Sequence, residues 1–455
     1  MEKNIRHDQA YFNDNLDRIL DCARFGRNIL LHGPGGVGKT YILRHVAKSL
    51  TLDGKIVYMT AMTGVAALNL AGDRTVQGLT VTTLHRFAGV GTAQLDVPSL
   101  IARVKSYPGR VKKWRKCQIL IIDEVSMLGA ELFKKFDAIA KNIRGNDLPF
   151  GGIQLILSGD LLQLSPVKDA WVFTAQEWTD LNIRPFVMEV PYRYTDMKFF
   201  EMLLRIRTGT QTEDDCKTIR GRVRANVKMQ EILATLAKEK AGEIIKPTMF
   251  FSKNVDVNGF NMKELDKLEG DEVVFSARDS FTVKKGNPVR EEYIKMLDDA
   301  IPHTIVLKIG AQVMLKKNLD VDEGLVNGSR GVVSEIIEGE AIVVKFLSGI
   351  KIRVDLQEWD YEDKYGIAKR VQLPFLLAWG CTIHKSQGTT LDYAVLDLGP
   401  SVFCSGQAYV ALSRCKNLEG LFISEFTARS IIVSTEALKY MFQINKMYEL
   451  ENEEK

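Results

Sequence analysis

The sequence lacks any run approaching ~18 consecutive apolar residues, so no membrane-spanning helix is expected. Its first ten residues, MEKNIRHDQA, contain no apolar stretch of the kind a secretory signal needs, and none is expected here. Cysteine is sparse and unpaired. Cys22, Cys117, Cys216, Cys381, Cys404 and Cys415 include no CxxC spacing, which argues against a zinc site or a disulfide framework and fits a reducing compartment. No repeat or low-complexity stretch is present. The net charge of +4 permits an anionic partner without requiring one. What remains is the composition of a water-soluble globular protein, and 455 residues exceed one ordinary core, so two to four domains are expected.

Short apolar runs at Asn28–His32, Lys55–Thr60, Gln118–Ile122 and Gln154–Ser158 each precede a polar or helical stretch. That alternation predicts a parallel sheet with crossover helices. It restarts at Pro247–Ser252 and Ala394–Leu398, followed by helical patterns at Val255–Leu268 and Gln407–Arg414, which predicts a second α/β domain. From Ile305 to Gln372 the texture changes to short strands with glycine turns, as in Ile342–Phe346 and Ile350–Val354 around Ser348-Gly349. This stretch reads as a small β-barrel inserted in the second domain. The expected division is a first domain over 1–200, a second over 201–304 and 373–455, and the barrel over 305–372. The acidic end, ELENEEK, reads as a frayed tail.

Gly33-Pro-Gly-Gly-Val-Gly-Lys-Thr40 is a complete GxxxxGK[ST] loop between a predicted strand and a predicted helix. Gly33, Gly35, Gly36, Val37 and Gly38 supply backbone N–H groups that can cradle phosphate oxygens. Lys39 brings a positive charge to the β- and γ-phosphates, and Thr40 a hydroxyl to Mg²⁺. The chain is therefore expected to bind ATP with Mg²⁺. Ile119–Ile122 ends in Asp123-Glu124. Asp123 at the strand tip can hold the metal, and Glu124 can polarise an attacking water. After a further strand come Gly159-Asp160 and Gln163. The Gln163 amide can accept from the water or donate to the γ-phosphate, although an ordinary loop glutamine reads the same way. Far downstream, Gln407-Ala-Tyr-Val-Ala-Leu-Ser-Arg414 has helical spacing. Arg414 is either a cross-domain arginine that stabilises charge on the γ-phosphate or a surface arginine.

Taken together, Asp123-Glu-Val-Ser-Met127, Glu131–Arg144 leading into Pro149-Phe-Gly-Gly-Ile-Gln154, and Gly159-Asp160 with Gln163-Leu164 resemble the petite-integration-frequency (PIF) family of superfamily-one helicases. Thr382-Ile-His-Lys-Ser-Gln-Gly388 and Tyr409-Val-Ala-Leu-Ser-Arg414 are similar to that family's fifth and sixth motifs, and Leu325-Val-Asn-Gly-Ser-Arg-Gly331 to the start of its inserted Src-homology-three-like barrel. The resemblance runs from about Asn28 to about Glu425. It implies two RecA-like P-loop lobes with ATP between them and single-stranded DNA across their tops, a small wedge subdomain near 84–116, and 5′-to-3′ unwinding of forked duplex by a monomer. Roles follow on the matching positions. Arg193 in Pro191-Tyr-Arg-Tyr194 joins Arg414 at the γ-phosphate, and Gly388 joins the nucleotide contacts. Thr63, His85, Phe87, His384 and Lys385 line the DNA track, where hydroxyl and imidazole groups bond phosphates and a flat ring can stack on any base. Phe87 as core filler remains an equal alternative. Three positions depart from the family pattern. Tyr194 replaces a glutamine, Ser165 replaces the first of two prolines, and the glutamine that reads adenine has Gln9 as its counterpart, farther from the P-loop than usual.

Between Arg103 and Lys116 lie seven basic residues (Arg103, Lys105, Arg110, Lys112, Lys113, Arg115 and Lys116) without an acid, interleaved with Tyr107 and Trp114. Phosphate contact beside a fork, a solvated basic face and a nuclear-import signal all fit. The family implies a nuclear or mitochondrial site in a eukaryote, or a viral replication site. An ATP-dependent binding switch that does not unwind is the alternative function.

Overall fold

A computed structural model describes residues 9–453 except 72–78, 92, 195, 224–247, 284–290, 318, 321–322, 324, 326–327, 347, 363–365, 388–390 and 392–393. Six parallel strands form the first sheet: β1 (Ile29–His32), β2 (Val57–Ala61), β3 (Thr80–Thr83), β4 (Ile119–Asp123), β5 (Gln154–Gly159) and β6 (Arg184–Val187). Their order is β3-β2-β4-β5-β1-β6. β4 and β1 are buried at every position, as a sheet covered on both faces requires. That explains why they read as unbroken apolar runs. β3 and β6, at the two edges, are too polar or too short to announce themselves. Because the strands are parallel, their carboxyl ends gather at one rim. There the P-loop leaves β1, Asp123 ends β4 and Gly159 ends β5, the position where ligands sit in such sheets.

The second sheet is also parallel, in the order Gly380–Thr382, Met249–Phe251, Ala394–Leu398, Leu421–Phe426. The Asn254–Asp266 helix and the Gln407–Leu412 helix match the predicted helical patterns closely. Antiparallel strands lie between the parts of this lobe. A five-stranded sheet runs in the order Lys351–Asp355, Ala341–Phe346, Arg330–Ile337, Gln312–Leu315, Phe375–Leu377. A three-stranded sheet of Gln357–Glu362, Gly366–Gln372 and Arg278–Val283 accompanies it, with a pair formed by Thr304–Leu307 and Val273–Ser276. These strands have their own apolar cluster, which includes Phe275, Leu307, Val313, Val344 and Phe375. Arg370 is buried among them and is satisfied by Asp279, Asp298 and the Ile301 carbonyl.

The two parallel lobes share one continuous apolar cluster, in which Phe199, Leu203 and Ile206 of the Met197–Thr208 helix meet Tyr409, Val410 and Leu412. The acidic end differs from the frayed tail expected. Thr435–Glu453 is a single helix, Glu451 pairs with Arg184 at 2.7 Å, and Ile444 is buried in the first lobe. The apolar residues that seat this helix, Ala437, Met441 and Ile444, lie before the acidic end.

Candidate nucleotide cleft and nucleic-acid surface

The P-loop turns tightly because three of its glycines, Gly33, Gly36 and Gly38, adopt conformations closed to other residues. Gly36 has φ 88°, and a Cβ there would stand 2.7 Å from the Tyr194 ring and 2.9 Å from the Arg193 Cβ. Any side chain would therefore push Arg193 away from the loop. Lys39 Nζ donates to the Gly33 and Pro34 carbonyls at 2.7 and 2.8 Å. Burial pulls its pKa below the usual lysine range, against the opposing charges of Asp160, Glu124 and Asp123. Thr40 Oγ1 donates to Asp123 Oδ2 at 2.9 Å, while Asp123 Oδ1 accepts from the Glu124 amide. A hydroxyl and a carboxylate at this separation are hard oxygen donors that fit magnesium, which takes one or two protein ligands and completes its shell with phosphate and water.

Glu124 has a left-handed backbone, φ 56° and ψ 44°. Burial and the adjacent Asp123 raise its pKa above the usual glutamate range, opposed by a hydrogen bond from Gln387 and by Arg414 and Lys39. Gln387 Nε2 donates to Glu124 Oε2 at 3.1 Å and to Ser126 Oγ at 3.0 Å, so a second-lobe amide orients a first-lobe carboxylate. Gln163 is buried, and among the described residues its Oε1 has no partner. Arg193 Nη1 reaches the Ser413 carbonyl at 3.4 Å, and the Tyr194 hydroxyl donates to the same carbonyl at 3.2 Å. Tyr194 thus bridges the lobes in the place where the family carries glutamine. Ser165 Oγ lies 3.5 Å from Cys404 Sγ, another contact between lobes.

Arg414 is not a surface arginine. It is 2% exposed, and its guanidinium donates to the Val410 carbonyl at 2.7 Å, to Ser413 Oγ at 2.8 Å and to the Ser386 carbonyl at 3.4 Å. Burial and the nearby Arg193 lower its pKa. A cleft of about 490 Å³ is lined by Gly35, Gly36, Gly38, Lys39, Thr40, Asp123, Glu124, Gln163, Arg193 and Arg414, together with Tyr41, Arg44, Asn69 and Tyr192. Val37 is fully buried and anchors the loop from beneath. Every catalytic residue expected from the sequence therefore converges on this one cleft. Gly388 and the side chains of Lys385 and Gln9 lie outside the described residues.

The residues expected on the DNA track do not line the cleft. Thr63 is half-buried and its hydroxyl accepts from the Ala66 amide at the start of the Gly64–Ala71 helix. His85 is half-buried with its ring edge-on to Phe136, and burial lowers its pKa. His384 is half-buried beside the exposed ring of Phe403, with ring centroids 6.4 Å apart. Phe87 requires a correction. It is wholly buried, packed on Tyr58 and Trp114 at 5.1 and 5.0 Å, so its faces are taken by core rings and cannot receive a base. The basic stretch forms two helices, Val97–Lys105 and Pro108–Lys116. Trp114 anchors the second by donating to the Ala88 carbonyl at 3.2 Å. Lys105, Lys112, Arg115 and Lys116 are exposed, and the Arg110 guanidinium lies 3.9 Å over the half-exposed Tyr107 ring.

Two residues of the site stand in family-like motifs that by themselves assign them no role. Gln387 lies in the Thr382–Gly388 segment, and Tyr409, whose hydroxyl meets both Gly35 and Asp160, reads as an apolar helix position.

Two parallel sheets, a P-loop on the first and a buried arginine from the second define a two-lobed, RecA-type P-loop protein. A PIF1-like helicase model matches residues 6–217 and a Pif1 2B-domain model matches residues 297–336. The ATP-dependent DNA helicase PIF1 of Xenopus laevis is 38% identical over 438 residues, covering 94% of this chain and 64% of the relative. The crystal structure of the Pif1 helicase from Candida albicans superposes with a TM-score of 0.79 at 32% identity, covering 95% of this chain and 99% of that one. A Bacteroides Pif1 helicase in complex with ADP-AlF3 and single-stranded DNA gives 0.72 at 25% identity, covering 95% and 97%. The chain belongs to the PIF1-like helicase family. It spans between about half and just under two thirds of the length of the curated relatives it matches.

Proposed function

We propose that this chain is an ATP-hydrolysing motor that translocates 5′ to 3′ on single-stranded DNA and unwinds forked duplex as a monomer. The observation that carries the proposal is the convergence of three cations, Lys39, Arg193 and Arg414, from two lobes on a cleft that also holds Asp123, Glu124 and Gln163. Buried like charges repel unless an anion lies between them, and a nucleotide triphosphate is an anion of matching extent. The relative with ADP-AlF3 and single-stranded DNA supports the same pair of ligands here.

Thr40 and Asp123 would hold Mg²⁺, which would supply positive charge to offset the negative charge that develops on the phosphates. Glu124, oriented by Gln387, takes the proton of the attacking water. The orphan Oε1 of Gln163 is an acceptor suited to steer that water. Arg414 is already fixed by three acceptors, so it stabilises the γ-phosphate without reorganising first. Since Arg414 and Gln387 belong to the second lobe, the reacting constellation is complete only when the lobes are closed, and hydrolysis releases that closure. Thr63, His85, His384 and Lys385 would contact the strand. The exposed basic residues of the Val97–Lys105 and Pro108–Lys116 helices would grip duplex phosphates at the fork. The antiparallel strands between 305 and 372 would form the family's Src-homology-three-like barrel.

The test is ATP hydrolysis with and without single-stranded DNA, then unwinding of forks that carry only a 5′ or only a 3′ tail. Strong stimulation, with unwinding from the 5′ tail, is expected. Lys39→Ala and Glu124→Gln should each abolish unwinding and leave single-strand binding within about threefold. DNA binding without stimulated turnover in the wild-type protein would replace the motor with a nucleotide-dependent binding switch.

A further inference from the structure

Asp160 follows the carboxyl end of β5 and is wholly buried. Arg207 neutralises it, with Nε 3.0 and 3.1 Å from the two carboxylate oxygens and Nη2 at 2.8 Å. Arg207 Nη2 also lies 3.2 Å from His32 Nε2, at the end of β1. Burial pushes His32 down to about 3, so its neutral ring accepts from the guanidinium. One further contact to this carboxylate comes from the Gln407–Leu412 helix of the second lobe. The Tyr409 hydroxyl donates to Asp160 Oδ2 at 3.0 Å and accepts from the Gly35 amide at 3.0 Å.

One oxygen therefore joins a phosphate-loop amide to a helix of the second lobe. The approach that permits this contact is unusually close. Gly406, just before the Gln407–Leu412 helix, has φ 74°, and a Cβ there would lie 2.4 Å from the Gln163 carbonyl oxygen and 2.7 Å from that of Leu162. No other residue could bring Tyr409 so near the loop.

We infer that Tyr409 is a positioning residue that fixes the phosphate loop through the Gly35 amide only while the lobes are closed, so that closure itself shapes the loop for the triphosphate. The inference rests on the hydrolytic reading of the cleft. Tyr409 does not reach the reacting atoms. It acts by holding one amide of the cradle against a carboxylate that Arg207 immobilises. When the lobes part, the hydroxyl leaves with its helix, the Gly35 amide is released, and the loop loses its preset shape. Nucleotide affinity thereby becomes a function of lobe position, which a motor that alternates grip needs.

Tyr409→Phe keeps the ring in its apolar setting and removes only the oxygen. The steady-state constants for ATP, measured on the full chain with and without saturating oligothymidylate, give the readout. The expected result is an ATP KM raised about 10-fold with DNA present, from loss of a hydrogen bond to a charged group, with kcat at saturating ATP within about threefold. Without DNA, KM should change by less than about threefold, because the latch is formed only on closure. Gly406→Ala, which leaves Tyr409 intact but blocks its approach, should raise KM in the same DNA-dependent way. It carries the test if Tyr409→Phe loses its cooperative thermal transition. Wild-type KM in the folded variant, or an equal fall of kcat with KM unchanged, overturns the inference. A wild-type protein without DNA-stimulated hydrolysis overturns the underlying reading instead.

Discussion

Glu124 is held in a left-handed backbone that costs a non-glycine residue on the order of 1–3 kcal/mol, and the surrounding groups decide what that strain achieves. The Gln387 amide bonds the ionised carboxylate, so it favours the charged form and works against burial and Asp123. Gln387→Ala removes that bond, and the Glu124 pKa must then rise further above the ordinary glutamate range. If Glu124 is the base, the acidic limb of the kcat–pH profile should move to higher pH, with hydrolysis at alkaline pH within a few-fold of wild type. An unmoved limb with a uniform loss of rate would assign Gln387 to lobe docking alone. Lys39, Thr40, Asp123 and Glu124 were legible in the sequence because their chemistry is written in contiguous residues at strand ends. Gln387 and Tyr409 were not, because each acquires its partner from the other lobe, more than two hundred residues away. Phe87 was misplaced for a related reason. A ring in a short helix looks the same whether its faces meet bases or Tyr58 and Trp114.

At the scale of elements, the Pro108–Lys116 helix separates two duties that its sequence interleaves. Trp114 is its buried root, and Lys112, Arg115 and Lys116 are its exposed charges. Trp114→Ala should destabilise the protein by about 3–5 kcal/mol, read from denaturant unfolding. Lys112→Ala with Lys116→Ala should leave stability within about 0.5 kcal/mol. If both side chains meet phosphates, that double variant should lower the salt slope of fork binding by roughly 1.8, at about 0.9 per duplex phosphate contact. An unchanged slope would make the helix a solvated face. The buried strands were legible as apolar runs, whereas β3 and β6 were not, since edge strands need satisfy only one neighbour and carry less pattern. The antiparallel hairpin around Gly349 was legible because the turn demands the glycine: φ is 88° there.

The whole molecule is closed by its last helix. Thr435–Glu453 follows the final second-lobe strand yet packs on the first lobe. Tyr440 accepts from Trp178 at 2.6 Å and stacks on Phe173, Met441 meets Arg207, and Glu451 pairs with Arg184. A chain ending at Ser434 loses the burial of Met441 and Ile444, about 1.5–3 kcal/mol for each. Its first lobe should melt at a lower temperature by calorimetry, and an unchanged midpoint would show that the helix contributes no net stability.

That helix has a mechanical consequence. The chain passes from first lobe to second near Met197–Thr208 and returns after Ser430, so the lobes are tethered at two places. A body pinned at one point can swivel in any direction, whereas one pinned at two can turn only about the line joining them, as a door does on its hinges. The lobes can therefore swing but not wander. If the chain is the motor proposed above, each ATP cycle would repeat the same arc, and a repeated arc would give steps of constant length along a strand.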